Sequence, residues 1–445
     1  MNRRRTLTAL VVVALASALM VPALLRSTPV NAQTVSDSRF RLRTIASLDF
    51  PTGMQFTPSG TRLFVNERDG RIRIIKNGVL LSTPFATVST TREGEGGLLG
   101  LALHPQFESG QPYVYVFYTR SDGAVDRVER FKASGDRSVS RQIVFDNMPA
   151  SLYHHGGSVV FGNDGKLYIS NGEQHDSNKA QDPHVLGGKV YRLNADGSIP
   201  SDNPFSGEPT WAYGLRNPFG MTVDKTTGLI WVTENGPESH DEVNRIVRGG
   251  NYGWPVVKGD ANDPRFIDPV LDYPSIIVPT MTAFGGNALP SEYRNNLFFG
   301  TYGQEVIHRV RLNASHTAAS SDTIFIRPGD GVIGMTMGPD GLYYTTPSKV
   351  VRAYVPAAVP RPAPSATRTT PSTTPSPTPT PTPTPSLTPT VTPSPSPTDS
   401  HGPLVARPYV SGGTLIPLLA GAAALLALGG FLVWRFLIRP RRVAR

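Results

Sequence analysis

The chain of 445 residues contains no cysteine. Thiolate metal sites, iron–sulfur clusters, cysteine nucleophiles and disulfide staples are all excluded at once. A folded domain must then be held by its core alone, which about 320 residues can supply. Helical periodicity is also scarce; short β-rich runs bounded by Gly, Pro, Asn and Asp dominate instead. A basic excess is missing where a fold could use it. Twelve of the 43 Lys and Arg lie outside residues 33–355, against one of the 34 acidic residues, so that segment carries 31 basic and 33 acidic side chains. The overall charge of +9 therefore belongs to the two ends, and nothing supports nucleic-acid binding.

The ends read as addresses. MNRRRTLTALVVVALASALMVPALLRSTPVNA has a basic start, an apolar run and a small-residue site at Val30-Asn31-Ala32, the pattern of a secretory signal over residues 1–32. An uncleaved anchor is the competing reading, because Arg26 follows the apolar run closely. Near the other end, LIPLLAGAAALLALGGFLVWRFLI is long enough to span a bilayer as a helix, placed at 411–438. Arginines crowd its C-terminal side, in the tail at 439–445. The positive-inside bias then puts the tail in the cytoplasm and everything before the helix outside. Residues 356–410 are dominated by Pro, Thr and Ser, which cannot bury a core and predict an extended stalk of about 3 Å per residue.

Between these ends a phrase recurs: a turn containing Gly, then a short apolar strand. It appears as Pro58-Ser59-Gly60 before Leu63-Phe64-Val65, as Tyr113-Val114-Tyr115-Val116 after His104-Pro105, and as Asn163-Asp164-Gly165 before Leu167-Tyr168-Ile169. Thr227-Gly228 before Leu229-Ile230-Trp231, the run Leu297-Phe298-Phe299, and Pro339-Asp340-Gly341 before Leu342-Tyr343-Tyr344 complete the set. Steps of roughly 45 to 70 residues are those of propeller blades with variable loops. Six repeats predict an all-β, six-bladed β-propeller over 33–355, with a pair of β-sandwich domains as the runner-up.

The densest chemistry lies between Trp211 and Pro255. Arg216 and Asn217 sit in a turn-like Gly-Leu-Arg-Asn-Pro run, where both can reach a ligand. An apolar strand follows and ends in Glu234-Asn235-Gly236-Pro237, a turn whose Gly and Pro carbonyls have no obvious strand partner. Glu238, Asp241 and Glu242 come next, hard oxygen donors of the kind Ca²⁺ prefers. Further back, His154 heads a strand–turn–strand run that returns at Glu173. A histidine can act as a general base when a carboxylate holds its other ring nitrogen, and this return length can bring the two together.

Five phrases carry a resemblance: GEGGLLGLALHPQF (94–107), HHGGSVVFGNDGKLYISNGEQ (154–174), GGKVYRLNADGSIPSDNPF (187–205), GLRNPFG (214–220) and ENGPESHDEVNRIVRGGNYGWP (234–255). In this order they resemble the glucose/sorbosone dehydrogenase family, soluble quinoprotein sugar dehydrogenases on a six-bladed propeller. The resemblance implies that His154 takes a sugar hydroxyl proton while hydride passes to pyrroloquinoline quinone (PQQ), and that Glu173 orients it. It implies that Arg216 and Asn217 contact the quinone oxygens, with Glu95 a polar residue near the cofactor. The carbonyls of Gly236 and Pro237 are implied ligands of a cofactor-bound Ca²⁺, and Asp241, Glu242 and Tyr252 those of a second Ca²⁺.

The chain also departs from the family. A later Lys and an Arg-x-Arg run that hold the cofactor's carboxylates are missing. The Lys position falls near Gly303 or Gln304, and RPGDGVIGMTM precedes Pro339. His308, Arg309 and Arg311 are the candidates to replace them, although alternation along a strand turns only some of them inward. Two expectations of different class follow. One is a membrane-anchored extracellular dehydrogenase that oxidises a sugar or related alcohol and hands electrons to an acceptor. The other is a non-catalytic propeller that binds a carbohydrate or protein partner.

Overall fold

The structure, a computed structural model, describes residues 33–357. The leader, the stalk from residue 358, the membrane span and the tail read from the sequence lie outside the described residues. Among the described residues no helix is long and apolar enough to cross a membrane.

Six antiparallel sheets follow one another along the chain. We number them as blades one to six from their innermost strands, Pro51–Phe56, Leu98–Leu103, Val159–Phe161, Pro218–Val223, Pro279–Phe284 and Met335–Gly338. Every recurrent phrase of the sequence is the second strand of a blade: Arg62–Glu67, Tyr113–Thr119, Leu167–Asn171, Ile230–Glu234, Leu297–Thr301 and Gly341–Thr346. These strands are apolar on both faces because a second strand is covered on both sides by neighbouring blades. Outer strands need no such cover, and Arg137–Pro149 is largely exposed.

The ring closes on itself through the N-terminus. Arg41–Ser47 pairs with Lys349–Tyr354 as the outer strand of blade six, and Thr34–Val35 adds an edge to Ala319–Arg327 of blade five. First and last parts of the domain are thus joined in the same sheets, and blade six gains a fourth strand.

The core is divided into six apolar clusters, one at each blade junction. Trp231 and Val243 of blade four, for example, pack on Leu297, Phe299 and Val310 of blade five. Burial of each large side chain contributes about 1.5–3 kcal/mol.

Near the axis the junctions are polar. Thr52 Oγ1 donates to the Leu98 carbonyl (2.7 Å), Ser158 Oγ to that of Phe219 (2.8 Å), Thr233 Oγ1 to that of Thr280 (2.8 Å), Thr280 Oγ1 to that of Val332 (2.9 Å) and Thr345 Oγ1 to that of Pro51 (2.8 Å). At the remaining junction, from blade two to blade three, the backbones approach directly, and His155 bonds Asp126 across it. A Cβ on Gly100 would lie 2.2 Å from the Gly157 carbonyl oxygen. Gly220 is under the same constraint, with its added Cβ 2.2 Å from the Thr280 oxygen.

Gly220→Ala should therefore destabilise the domain by about 1–3 kcal/mol through overpacking. Urea unfolding is the measurement, with the exposed-site variant Val79→Ala as the reference. Equal stability of the two would remove the close blade approach as a constraint.

Candidate active site

One end of the ring gathers the starts of inner strands and the ends of second strands, and the site residues come from both. His154 lies ahead of the inner strand of blade three, and Glu173 just past its second strand. His154 Nδ1 lies 2.6 Å from Glu173 Oε1, and both side chains are buried. The sequence expectation for this pair is met in distance. His154 has φ 63°, left-handed backbone that L-residues seldom adopt, and Gln174 (φ 53°) and His175 (φ 63°) do the same across the gap. Gln174 Nε2 donates to the carbonyls of both His154 and Gly172, which ties the two segments together.

Glu95 joins this pair to the Arg216–Asn217 turn. Its Oε2 accepts from the His154 backbone N–H (2.9 Å) and from Asn217 Nδ2 (3.2 Å). Asn217 Oδ1 in turn accepts from the Gly156 N–H (3.0 Å). Asn217 is thus tied to the His154 loop directly through Oδ1 and through Glu95 by Nδ2. The Glu95 loop is pinned by Arg68, whose guanidinium donates to the carbonyls of Arg92, Gly94 and Gly96. Below His154, the buried His155 Nδ1 meets Asp126 at 2.9 Å; burial opposes the charged imidazole, but the carboxylate lifts its pKa above the usual value. The far side of the 172–188 loop is fixed by Lys189, whose Nζ donates to the carbonyls of Lys179, Ala180 and Gly187 (2.7, 3.2 and 2.6 Å).

Arg216 is half-buried against Trp254, 5.6 Å from the ring centre. Burial pulls its guanidinium below the ordinary value against the attraction of Glu234, Glu173 and Glu95. Its Nη1 donates to the carbonyls of Asn235 (2.8 Å) and Gly236 (2.9 Å). The Gly236 carbonyl therefore has a partner that the sequence did not suggest.

The carboxylates of blade four divide differently from the sequence expectation. Asp241 and Glu242 are neighbours in one strand, so their side chains leave on opposite faces. Asp241 Oδ1 accepts from the Gly236 N–H (2.8 Å), and Oδ2 from those of Ile277 (2.6 Å) and Val278 (2.8 Å), which clamps the turn to the segment that leads into blade five. The residue facing Glu242 is Glu234, directly opposite in the strand pairing. Strand register, which needs the fold, is what brings Glu234 in. A cavity of about 20 Å³, room for one water or ion, is lined by Glu234, Gly236, Pro237, Glu242, Tyr252 and Arg216 among others. Glu234 Oε1 accepts from the Arg216 and Asn217 backbone N–H groups (both 2.6 Å), while the buried Oε2 has no partner among the described residues. Burial, then the nearby Glu242, push the Glu234 carboxyl up to about 8. Two facing carboxylates, an orphan oxygen and backbone carbonyls form an all-oxygen set, which fits Ca²⁺.

The proposed replacements for the missing cations do not reach this site. His308 pairs with Asp322 and stacks on Phe299, Arg309 is held by Asn296, Glu292 and the Tyr293 ring, and Arg311 is exposed. All three are on the third strand of blade five, away from the axis.

The Glu234 carboxyl gives a pH signature. Its value in the fold is raised from the ordinary 4.5 to about 8, so in calcium-free buffer the folded chain holds a proton there that the unfolded chain has released. Its contribution is full below the unfolded value and is lost as pH rises through the folded one, so stability falls across that window. Saturating Ca²⁺ or Glu234→Gln should flatten the slope, read as urea midpoints against pH. A slope that neither changes would exclude Glu234 as its source.

Residues 48–351 match the family described as Glucose / Sorbosone dehydrogenase. The chain is 30% identical over 326 residues to the aldose sugar dehydrogenase YliI of Escherichia coli K12, covering 67% of this chain and 86% of that one. The PQQ-bound aldose sugar dehydrogenase of Streptomyces coelicolor superposes with a TM-score of 0.63 at 28% identity, over 74% of this chain and all of that one. The human Hedgehog-interacting protein is 27% identical over 252 residues, 47% of this chain and 36% of its own length. Six blades closed by the N-terminal strand, and a match that runs through almost all of them, lead to one assignment: the chain belongs to the glucose/sorbosone dehydrogenase family.

Proposed function

We propose that this chain is an exported, membrane-tethered quinoprotein dehydrogenase that oxidises an aldose or related alcohol with PQQ and Ca²⁺. The observation that carries the reading is the buried His154–Glu173 contact at 2.6 Å. A carboxylate that accepts the Nδ1 proton fixes the tautomer and leaves Nε2 as the basic nitrogen. His154 can then take the proton of a sugar hydroxyl, and Glu173 stabilises the imidazolium that forms. Asn217 and Arg216 bring an amide and a guanidinium to the same cup, suited to bind and orient anionic or carbonyl oxygens. Glu95 keeps Asn217 and the His154 backbone in register. PQQ, when bound, supplies the two-electron acceptor for the hydride. Glu234, Glu242 and the carbonyls of Gly236, Pro237 and Tyr252 are the residues that would hold Ca²⁺, a Lewis acid for a quinone oxygen when it lies beside one. The signal pattern at 1–32 and the apolar stretch at 411–438 support export and anchoring.

A second reading, a propeller that binds a carbohydrate or protein partner without turnover, is favoured by a different observation. The Arg216 guanidinium is folded onto the Asn235 and Gly236 carbonyls, and His308 and Arg309 are occupied elsewhere, so few cations face the cup. The name of the Hedgehog-interacting protein points the same way.

Titration of the purified full chain with PQQ, with and without Ca²⁺, separates the two. Calcium-dependent saturable binding is expected, together with dye-coupled sugar oxidation. His154→Ala should retain the cofactor and lose at least about 100-fold in kcat. Absence of binding at tens of micromolar PQQ would end the dehydrogenase reading in favour of the second.

A further inference from the structure

We propose that His154, Glu173 and His175 form a binding site for a divalent transition-metal cation, Zn²⁺ being the best-matched ion, at the mouth of the cup. One ligand atom from each residue lies within 4.8 Å of the other two. His154 and Glu173 supply the buried side of the cluster and His175 the exposed side. The two imidazole rings overlap with centroids 3.9 Å apart and planes tilted by 33°. Glu173 provides the second observation. Its Oε1 faces His154, but its Oε2, buried with the rest of the side chain, has no hydrogen-bond partner among the described residues. A buried carboxylate oxygen without a donor is costly unless a cation or a donor completes it.

The donor set decides the class of ion. Two imidazole nitrogens and one carboxylate suit Zn²⁺ and its transition-metal neighbours, with a position left open on the solvent side. Ca²⁺ requires six to eight oxygens and is poorly served here. The all-oxygen set around Glu234 and Glu242 has the opposite preference. The same cup therefore presents two cation sites of different hardness, on blades three and four. Both His154 and His175 have left-handed backbone where their rings come together, and Gln174 ties the two segments through its bonds to the His154 and Gly172 carbonyls.

Binding exchanges one species for another at His154. The metal takes a ring-nitrogen lone pair of the neutral imidazole, and the ring's one proton is left on the other nitrogen. An imidazole bound in this way cannot accept a proton from a substrate hydroxyl, so occupancy closes the site as a base. The ion's binding itself is independent of whether the site oxidises a sugar.

The test uses the full chain, stripped with chelator and reloaded with Ca²⁺ so that the oxygen sites are filled, then titrated with ZnCl₂ by calorimetry. One Zn²⁺ per chain is expected at this site. His175→Ala, a change at an exposed side chain, should weaken it by at least about 10-fold, since even loss of an outer hydrogen-bond partner of a ligand has that effect. Co²⁺ in place of Zn²⁺ should give a visible absorption band that His175→Ala abolishes. Failure to bind Zn²⁺, or binding by His175→Ala reduced less than this, would overturn the proposal, because the ion would then be absent or held elsewhere.

Discussion

The hydrogen bonds that pass from one blade's hydroxyl to the next blade's carbonyl are the contacts on which the rest of this fold depends. Apolar packing between sheets is strong but non-directional, and it fixes how far blades lie apart better than how they slide. A hydroxyl that must meet one particular carbonyl sets the axial level of each blade against the next. Thr52, Ser158, Thr233, Thr280 and Thr345 do this at five junctions, all of them buried. At the sixth, Gly100 and Gly157 let two backbones approach directly, where any side chain would collide. Each bond is worth about 1 kcal/mol net, but a broken one leaves a buried carbonyl unsatisfied, so a slipped register is penalised more than a correct one is rewarded.

Fixed levels make a site possible from residues far apart in the chain. The second strands end at one height in polar, buried side chains: Glu67, Thr119, Asn171, Glu234, Thr301 and Thr346. His154, Glu173 and Asn217 extend from the same level, and Glu95 enters from the loop before blade two. The resulting cup is acid-rich. Glu95, Glu173, Glu234 and Glu242 face it or line its wall, and the Arg216 guanidinium lies among them, bonded to the Asn235 and Gly236 carbonyls. A buried carboxylate facing a second one favours its protonated form unless a bound cation neutralises it. Glu234 shows which tendency wins without one, since its proton is held up to about 8.

What could be read from the chain beforehand follows the range of the interactions. Six Gly-containing turns before apolar strands are local signals, and each marks a second strand because those strands are apolar on both faces. His154 and Glu173 were also legible, as ends of one strand pair returning on itself. The Asp241–Glu242 assignment shows where this reading stops. Composition presents two adjacent acids as a pair, but pleating sends them apart, and the true partner, Glu234, is found only through the register of two strands. Arg68 and His175 were missed for a related reason. Arg68 acts through carbonyls some 25 residues away, and His175 matters because a turn with positive φ lays it over His154.

Arg216 connects the two halves of the cup, and its geometry bears on how a cation and the guanidinium coexist. A carbonyl oxygen has two lone pairs. Arg216 Nη1 uses one on Asn235 and one on Gly236, so the Gly236 oxygen keeps a second for a metal ion, and Pro237 lies in the same wall. The Arg216 backbone N–H is bonded to Glu234 Oε1, so the guanidinium and the orphan Oε2 belong to one short hydrogen-bonded unit. A hard cation in the small cavity would ionise Glu234, and the carboxylate charge would then strengthen the bonds from the Arg216 and Asn217 amides. Those amides begin the turn that carries Asn217 to Glu95, and Glu95 holds the backbone of His154. Glu234, Asn217, Glu95 and His154 thus form one continuous hydrogen-bonded chain from blade four to the base of blade three.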